Sequence, residues 1–489
     1  MRARVARGIV GATAALLLGL AASLAPAPLG PAPAGAGEGS PPAGGPAEPG
    51  IELVSMDRSS LEPGDAALLE LAVGEAGADL EVWFEAHQVI RSRITYERTL
   101  EGEDLGSTVD TVSFPLADLP RTATGTVAAP LAIQDPGQPA DPSRLPLREL
   151  GVYPIEVQLR DADANVLASF VLPIVIVVPN ADGSPVVGER LRVAWVWPLV
   201  AAPARLPFGQ PDPAVVDELR PDGRLGRQAA TLAGAGDVPF TVAPGPETLG
   251  AWQEFAAADA DLQESLDAMN DALATNQKLA SPYVDLNVPS LLDNGLRAQV
   301  GTERAYGTET LSRLVETRVD PRTALVEPVD NTAVAYLRES QVDRMILDGD
   351  ALVPVESDFT PARPFTLETG GLPTTAVATN PGLSAPLTAT GPPPALRAQQ
   401  FLAGLSVVAL ELPNSARGLV VVNPTDWDPP AELLEAAVTG LRGHRLVQAV
   451  DIEQFFAQVP PATGEDSPAV RTLEPYDPPR PPVTAAQYL

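Results

Sequence analysis

The chain has 489 residues, of which 45% are hydrophobic, and this is enough to bury the cores of two domains. Its 63 acidic and 32 basic residues give a net charge of −31, which disfavours nucleic acid and anionic membrane surfaces as partners. Cysteine is absent, which excludes disulfides, a lipid-modified cysteine anchor and cysteine nucleophiles.

The first residues have the pattern of an export signal. Three arginines precede an apolar stretch at 9–25, and Ala34-Gly35-Ala36 offers a small-residue cleavage site. Residues 1–36 are therefore predicted to be a signal peptide, and the mature chain is expected to be extracytoplasmic, secreted or associated with the cell envelope, without a membrane span. A retained signal anchor is the alternative, which Pro26 and Pro28 disfavour because they follow the apolar stretch closely.

A Pro/Gly-rich linker is predicted at 37–50, and it leads into a region with strand periodicity. Short alternating strands and turn signals predict an all-β domain with an immunoglobulin-like sandwich fold at 51–179. The segment Asp161-Ala-Asp163-Ala-Asn165 resembles the start of a calcium loop, but it lacks the glycine and the distal glutamate, so a hairpin turn is predicted. The predicted strands are 51–56, 67–73, 80–84, 152–159 and 166–178.

From 190 to 458, short apolar strands alternate with helical patterns, which predicts βαβ units and a (β/α) barrel, with an incomplete or irregular ring of strands as an open alternative. A long Pro/Thr/Gly-rich loop over the barrel mouth is predicted at 358–394, with a short strand at 374–378. A Pro-rich tail is predicted at 459–489. The other predicted strands are 193–197, 240–243, 280–285, 324–327, 345–348 and 419–423. The predicted helices are 223–233, 247–274, 308–316, 332–339, 395–411 and 430–441.

Functional residues of such barrels lie at the carboxyl ends of the strands. Alternation along the strand predicted at 280–285 places Tyr283, Asp285 and Asn287 on one face. An aromatic ring, a carboxylate and an amide together suit the recognition of a sugar. The alternative is that Asp285 or Asn287 caps the helix that begins near Val288.

Glu327 and Asp348 end the next two predicted strands. Glycoside hydrolysis needs two carboxyl groups about 5 to 10 Å apart, and strand ends can supply them. Asp285 with Glu327 or Asp348 is therefore the predicted catalytic pair, although each alone can also be a helix cap. Trp197 and Trp427 are predicted to form a stacking floor for the substrate, with core packing as the alternative.

The histidines limit metal chemistry, since His87 and His444 are the only two in the chain. An imidazole zinc site cannot be built in the barrel, which argues against a zinc-dependent polysaccharide deacetylase. Neither a metal nor a cofactor is predicted, although Asp348-Gly-Asp350 leaves an all-carboxylate calcium or magnesium site open. His444 is expected in a surface loop. No nucleophile elbow or phosphate-binding glycine loop is present, which disfavours acyl transfer and nucleotide chemistry.

Three motifs carry a resemblance to a known family. They are Arg192-Val-Ala-Trp-Val-Trp-Pro-Leu199, Pro221-Asp-Gly-Arg-Leu225 and Ser281-Pro-Tyr-Val-Asp285. With the order of export signal, sandwich and barrel, they resemble a family of uncharacterised secreted or membrane-anchored proteins of high-GC Gram-positive bacteria. The family's members look like distant relatives of glycoside hydrolase and polysaccharide deacetylase barrels. The resemblance implies a role in the cell envelope, since the family's genes often lie near that of the lipid II flippase. This chain differs from the family in having a Pro-rich tail where longer members continue to a membrane helix.

Two functions follow as expectations. The first is a carbohydrate-active barrel that binds or hydrolyses cell-envelope glycan through Asp285 with Glu327 or Asp348. The second is a catalytically inactive scaffold or protein-interaction module, in which the sandwich binds an envelope protein and the barrel serves as a platform.

Overall fold

The structure is a computed structural model that describes residues 50–74, 79–103, 105–182, 184, 186–315, 317–369, 373–465 and 467–474. The predicted signal peptide, the predicted linker apart from Gly50 and residues 475–489 of the predicted tail lie outside the described residues. In the described part, no helix combines the length and the apolar character that a membrane crossing requires.

The first part of the chain is built of β-strands with one helix between them. The predicted strands are confirmed, whereas the helix α1 and the strands β5 and β6 were not predicted. Strand β5 was missed because its side chains are mostly exposed and lack apolar alternation. In chain order the elements are β1 (Ile51–Met56), β2 (Ser60–Leu61), β3 (Ala66–Val73), β4 (Glu81–His87), α1 (Arg93–Leu100), β5 (Thr108–Pro115), β6 (Val127–Ala132), β7 (Gly151–Arg160) and β8 (Val166–Ile176).

These strands form two sheets, with the orders β1-β3-β6 and β2-β8-β7-β4-β5. All pairings are antiparallel except that of β2 with β8. Alternate residues of both sheets, such as Leu69, Leu71, Phe84 and Val157, are completely buried in one hydrophobic cluster. Asp161 accepts hydrogen bonds from two backbone amides of the β7–β8 turn, which confirms the hairpin turn. The immunoglobulin-like topology and the domain boundaries remain predictions.

The second part of the chain alternates strands and helices, which confirms a mixed α/β architecture. Its elements are β9 (Leu191–Leu199), α2 (Pro213–Leu219), α3 (Arg224–Gly234), β10 (Thr241–Pro244), α4 (Pro246–Ala256), α5 (Ala260–Thr275), β11 (Gln277–Leu279), α6 (Val288–Asp293), α7 (Arg297–Leu314), β12 (Val319–Asp320), β13 (Thr323–Val326), α8 (Asn331–Glu339), β14 (Arg344–Leu347), β15 (Phe365–Leu367), β16 (Thr374–Ala378), α9 (Pro381–Thr388), α10 (Pro394–Glu411), β17 (Gly418–Val422), α11 (Ala431–Leu441), β18 (Val447–Val450), α12 (Ile452–Gln458) and β19 (Val470–Arg471).

The strands of this part belong to two sheets, β12-β11-β10-β9-β17 and β13-β14-β16-β15-β19. Strand β18 also pairs with β9, beside the amino-terminal half of that strand. All pairings are parallel except that of β15 with β16. A parallel bridge between Thr379 and Val420 joins the sheets on one side, and the chain runs from β12 directly into β13 on the other.

One buried cluster lies inside this ring and receives residues from most of its strands, so the arrangement is barrel-like and irregular. Helix α12 closes the amino-terminal end, because Ile452 N donates to Thr241 Oγ1 at the start of β10 (2.8 Å) and Arg344 at the start of β14 lies over the ring of Phe456 (5.0 Å). The carboxyl ends of the strands are therefore the face left for a site. The inner residues include Ala194, Ala243, Leu279, Ile346, Val377, Val420 and Val450.

Four predicted elements differ in the structure, and one of them is the helix predicted at 308–316, which is α7 and begins earlier, at Arg297. The strand predicted at 280–285 ends at Leu279, and the following residues form an irregular loop that contains Pro282, which has no amide hydrogen for a ladder. The helix predicted at 247–274 is divided into α4 and α5, because Asp259 accepts from Asp261 N and caps a new start. The stretch 358–394 contains β15, β16 and α9 instead of a long loop.

Helix α10 packs between the two parts of the chain. Its residues are apolar on nearly every side, and Leu396 reaches the core of the β-rich part whereas Phe401 lies in the core of the α/β part. Gln399 Nε2 donates to the carbonyls of Ser59 (3.0 Å) and Pro173 (2.9 Å). The two parts therefore share one helix as a common core element.

Candidate functional site

Four acidic residues follow four parallel strands at the carboxyl-terminal face. Glu247 follows β10, Asp285 follows β11, Glu327 follows β13 and Asp348 follows β14. Because the carboxyl ends of neighbouring parallel strands meet at one edge, the loops that carry these residues lie side by side.

The loop that carries Asp285 is held between two helices. Tyr283 N donates to the carbonyl of Glu303 on α7 (3.0 Å), and Glu247 N at the start of α4 donates to the carbonyl of Tyr283 (3.2 Å). Gly307 permits this approach, since a β-carbon there would lie 2.3 Å from the carbonyl oxygen of Ser281. The loop's position is therefore determined by helix packing and not by strand pairing.

Asp285, Glu327 and Asp348 interact electrostatically. Both Asp285 and Glu327 reach the surface, but the protein around each carboxyl partly removes it from water. This desolvation raises the pKa of both groups, and the negative charges of Asp348 and Asp285 raise the pKa of Glu327 further. The structure thus brings Asp285 and Asp348 close enough to Glu327 for their charges to raise its pKa.

Asp348 is held by hydrogen bonds from its surroundings. Its Oδ1 accepts from Asp350 N (3.1 Å) and from the hydroxyl of Thr379 at the end of β16 (3.4 Å). The same hydroxyl accepts from Gly349 N (3.2 Å). These hydrogen bonds fix the orientation of the Asp348 carboxylate.

A second group of polar side chains borders the Asp285 loop, and only Tyr283 among them was predicted. The rings of Tyr283 and Tyr306 are in contact, with centroids 4.5 Å apart, and Tyr306 is 44% exposed. Desolvation raises the pKa of Glu247 and of Glu303. Desolvation is also the main cause of the raised pKa of Tyr283, to which Tyr306 and these two acids add. Glu303 Oε2 is buried without a hydrogen-bond partner.

The sequence carried a signal for one of these missed residues. Glu247 lies three residues after the strand end Val242-Ala-Pro244, in the first turn of α4, but it was included in a long predicted helix. Glu303 and Tyr306 lie within a helix that was predicted to begin only at 308, so their position beside the strand ends had no sequence signal.

Three of the predicted substrate-binding residues have structural roles instead. Asn287 caps α6, since its side chain accepts from Ser290 N (3.0 Å), which agrees with the capping alternative. Trp197 is fully buried and packs against Trp427, which is 7% exposed, with ring centroids 5.9 Å apart. The predicted stacking floor is therefore wrong, because both indoles lie in the layer between sheet and helices, where a sugar cannot stack on their faces.

His444 also differs from its predicted place in a surface loop. It is 4% exposed, and its Nδ1 accepts from the backbone amides of Leu446 and Val447 (both 3.2 Å). Burial lowers the pKa of His444 to about 4. Across the described ranges, no group of three or more acidic or histidine side chains is arranged to hold a metal ion.

No protein-family model and no curated protein matches the sequence. Among solved structures, the chain is similar to a 4-α-glucanotransferase from Thermococcus litoralis, with 11% identity and a TM-score of 0.41 over 58% of this chain and 40% of that one. It is also similar to an α-amylase from Thermotoga maritima, with 9% identity and a TM-score of 0.45 over 60% of this chain and 78% of that one. A third is a GH57 branching enzyme from Thermococcus kodakaraensis, with 10% identity and a TM-score of 0.39 over 57% of this chain and 72% of that one.

The chain thus spans less than half the length of the first of these neighbours. All three TM-scores lie below 0.5. Membership of the envelope-protein family that the sequence motifs resemble remains a prediction.

Proposed function

We propose that this protein is a glycoside hydrolase whose site comprises Asp285, Glu327 and Asp348. The observation that carries the proposal is the raised pKa of Glu327, which has desolvation and two neighbouring carboxylates as its causes. Glycoside hydrolysis needs one carboxyl group that keeps its proton and another that is ionised. A group of interacting carboxyl side chains near the strand ends can hold one carboxyl group protonated while another is ionised.

The environments of the three groups suggest their roles. Glu327 is the general acid, because its surroundings favour the protonated form that donates to the leaving-group oxygen. Asp348, fixed by Asp350 N and Thr379, is the nucleophile or the base that activates water. Asp285 contributes to the raised pKa of Glu327 and lies on the same loop as Tyr283.

The aromatic pair beside the carboxyl groups gives the proposal a binding surface. The exposed ring of Tyr306 packs on Tyr283, and a sugar ring can stack on the face that remains open. This pair takes the role first assigned to Trp197 and Trp427.

We further propose that the protein acts outside the cytoplasm on cell-envelope glycan. The support is the export pattern of residues 1–36 and the strongly acidic composition, which disfavours nucleic acid as a partner. A catalytically inactive envelope scaffold remains the second candidate.

The test is incubation of the purified chain with peptidoglycan and a panel of defined oligosaccharides, with new reducing ends as the measurement. Glu327→Gln and Asp348→Asn are each expected to lower kcat by about 100-fold or more, which is the usual contribution of an acid–base group. Asp271→Asn, on the exposed face of α5, is the matched control and should retain full activity. Hydrolysis that is insensitive to both site variants would contradict the assignment, and binding without hydrolysis would favour the scaffold.

A further inference from the structure

A cavity of about 320 Å³ lies along the seam between β16 and β17, on the side that faces α1. Its wall includes Thr379, whose hydroxyl contacts Asp348, so the cavity borders the proposed catalytic group. The volume is at the lower end of the range for small-molecule sites, about 300 to 1,000 Å³, and suits a single sugar ring or its substituent.

Three arginines line this cavity, which we call the arginine cavity: Arg93, Arg363 and Arg471. Arg93 is paired with Glu97, and Arg363 donates to Ser415 Oγ (2.8 Å). One acidic residue, Asp350, lies on the exposed rim. The wall therefore has an excess of positive charge in a chain whose net charge is −31.

Of the three arginines, Arg471 is the one whose positive charge has the least compensation from neighbouring groups. It is half-buried, and among the described residues no carboxylate forms an ion pair with it. Its Nη2 donates to the carbonyl of Val353 (3.2 Å), its guanidinium lies 5.4 Å from the ring centroid of Phe365, and its Nε is buried without a hydrogen-bond partner.

A partly buried guanidinium without an acidic partner is costly to the fold. Acidic residues outnumber basic ones by 63 to 32, so carboxylate partners are abundant elsewhere in the chain. An anion from outside the chain would supply the missing partner. Guanidinium groups bind carboxylate and phosphate oxygens in a bidentate manner, so both kinds of anion fit.

We propose that the arginine cavity binds an acidic substituent of a glycan, a carboxylate or a phosphate, with Arg471 as its principal ligand. As a statement about substrate class this rests on the proposed function, since it places the acidic group beside the carboxyl groups that would cleave the glycan. As a statement about binding it is independent, because no hydrolysis is needed to observe it.

The test is titration calorimetry of the full chain with methyl β-D-glucuronide, glucose 6-phosphate, methyl β-D-glucoside and inorganic phosphate. At least one of the acidic sugars is expected to bind about tenfold or more tightly than the neutral glucoside. Arg471→Met should reduce its affinity to that of the glucoside, whereas Arg322→Met, an exposed arginine paired with Asp343, should leave it unchanged. The acidic sugar that responds to Arg471→Met distinguishes carboxylate from phosphate.

A second variant tests the cavity without removing Arg471, in case Arg471→Met fails to fold. Val355 lines the cavity, so Val355→Glu places a negative charge there while Arg471 remains, and Val355→Gln is its neutral match. The glutamate variant alone should weaken the acidic sugar by about tenfold.

Several results would overturn the proposal. They are equal affinity for acidic and neutral sugars, no binding of either acidic sugar at about 10 mM, acidic-sugar binding that survives both Arg471→Met and Val355→Glu, and inorganic phosphate that binds as tightly as the sugars. Failure of the proposed function would appear differently, as acidic-sugar binding that depends on Arg471 in a chain that cleaves no glycan.

Discussion

Individual side chains in this protein acquire their properties from neighbours that are distant in sequence. Glu327 follows a short strand and is indistinguishable by sequence from many helix-capping acids, yet desolvation and two carboxylates from other loops raise its pKa. By contrast Asp330, three residues later, accepts from Ala333 N (2.7 Å) and caps α8. By sequence both acids are candidates for a catalytic role, and only their neighbours in the structure distinguish the two.

His444 gives a prediction at the same scale. Its pKa is about 4 in the folded chain and near 6.5 in the unfolded chain, because burial disfavours the charged ring. As the pH falls from 6.5 to 4, His444 therefore becomes protonated in the unfolded chain while it stays neutral in the folded chain. Folding stability should be full above pH 6.5 and should decline through that window by about 3 kcal/mol from this group alone.

The measurement is urea denaturation between pH 4 and pH 8 for the wild type and for His444→Asn, whose side-chain oxygen can accept the amides of Leu446 and Val447. The variant should be less stable at pH 8 by about 1 to 2 kcal/mol, through lost packing. The difference should shrink and then change sign as the pH falls towards 4, because only the wild type loses about 3 kcal/mol from this group. A difference that does not change with pH would contradict the assigned pKa.

Among the elements, the Asp285 loop depends most directly on close packing. At Gly307 a β-carbon would lie within 2.6 Å of the backbone of Pro282 and Tyr283, so Gly307→Ala must displace the loop or α7. The expected result is a loss of about 1 to 3 kcal/mol in the free energy of unfolding, with a loss of the site's activity.

Gly250→Ala is the matched control for this substitution. Gly250 lies within α4, where a β-carbon would meet only Leu314 Cδ1, at 3.9 Å. Because alanine favours helix over glycine by about 0.5 to 1 kcal/mol, this variant should be neutral or stabilised. Equal thermal stability of the Gly307→Ala variant and the wild type would show that the loop does not depend on this contact.

The elements differ in how closely their sequences predict their bounds. Strands with continuous apolar runs, such as β9 and β17, and the strand β16 were predicted almost to their ends, because burial on both faces leaves a clear pattern. The prediction of a strand at 280–285 was wrong because the residues of this segment pack against helices α4 and α7 instead of pairing with a strand. The proposed site residues Glu327 and Asp348 were predicted from strand ends, whereas Asp285 was predicted from a strand that ends earlier, at Leu279. The positions of Glu303 and Tyr306 depend on how α7 packs.

At the scale of the whole molecule, the proposed site exists because loops from two sheets meet. Asp285 follows the sheet that contains β9, while Glu327 and Asp348 follow the sheet that contains β14. The bridge between Thr379 and Val420 and the passage from β12 to β13 hold the sheets together, and α12 closes the opposite end. Any change that separates the sheets should therefore separate the carboxyl groups.

The most direct test of this account is the pKa of Glu327, measured in the full chain by carbon NMR of labelled glutamate carboxyl groups. The resonance is identified by its absence in Glu327→Gln. We predict a pKa above the usual 4.5, which falls towards that value in Asp348→Asn and in Asp285→Asn because each substitution removes a negative neighbour. Asp271→Asn should leave it unchanged. A Glu327 carboxyl that titrates at its usual pKa and does not respond to either site substitution would contradict the convergence on which the proposed function depends.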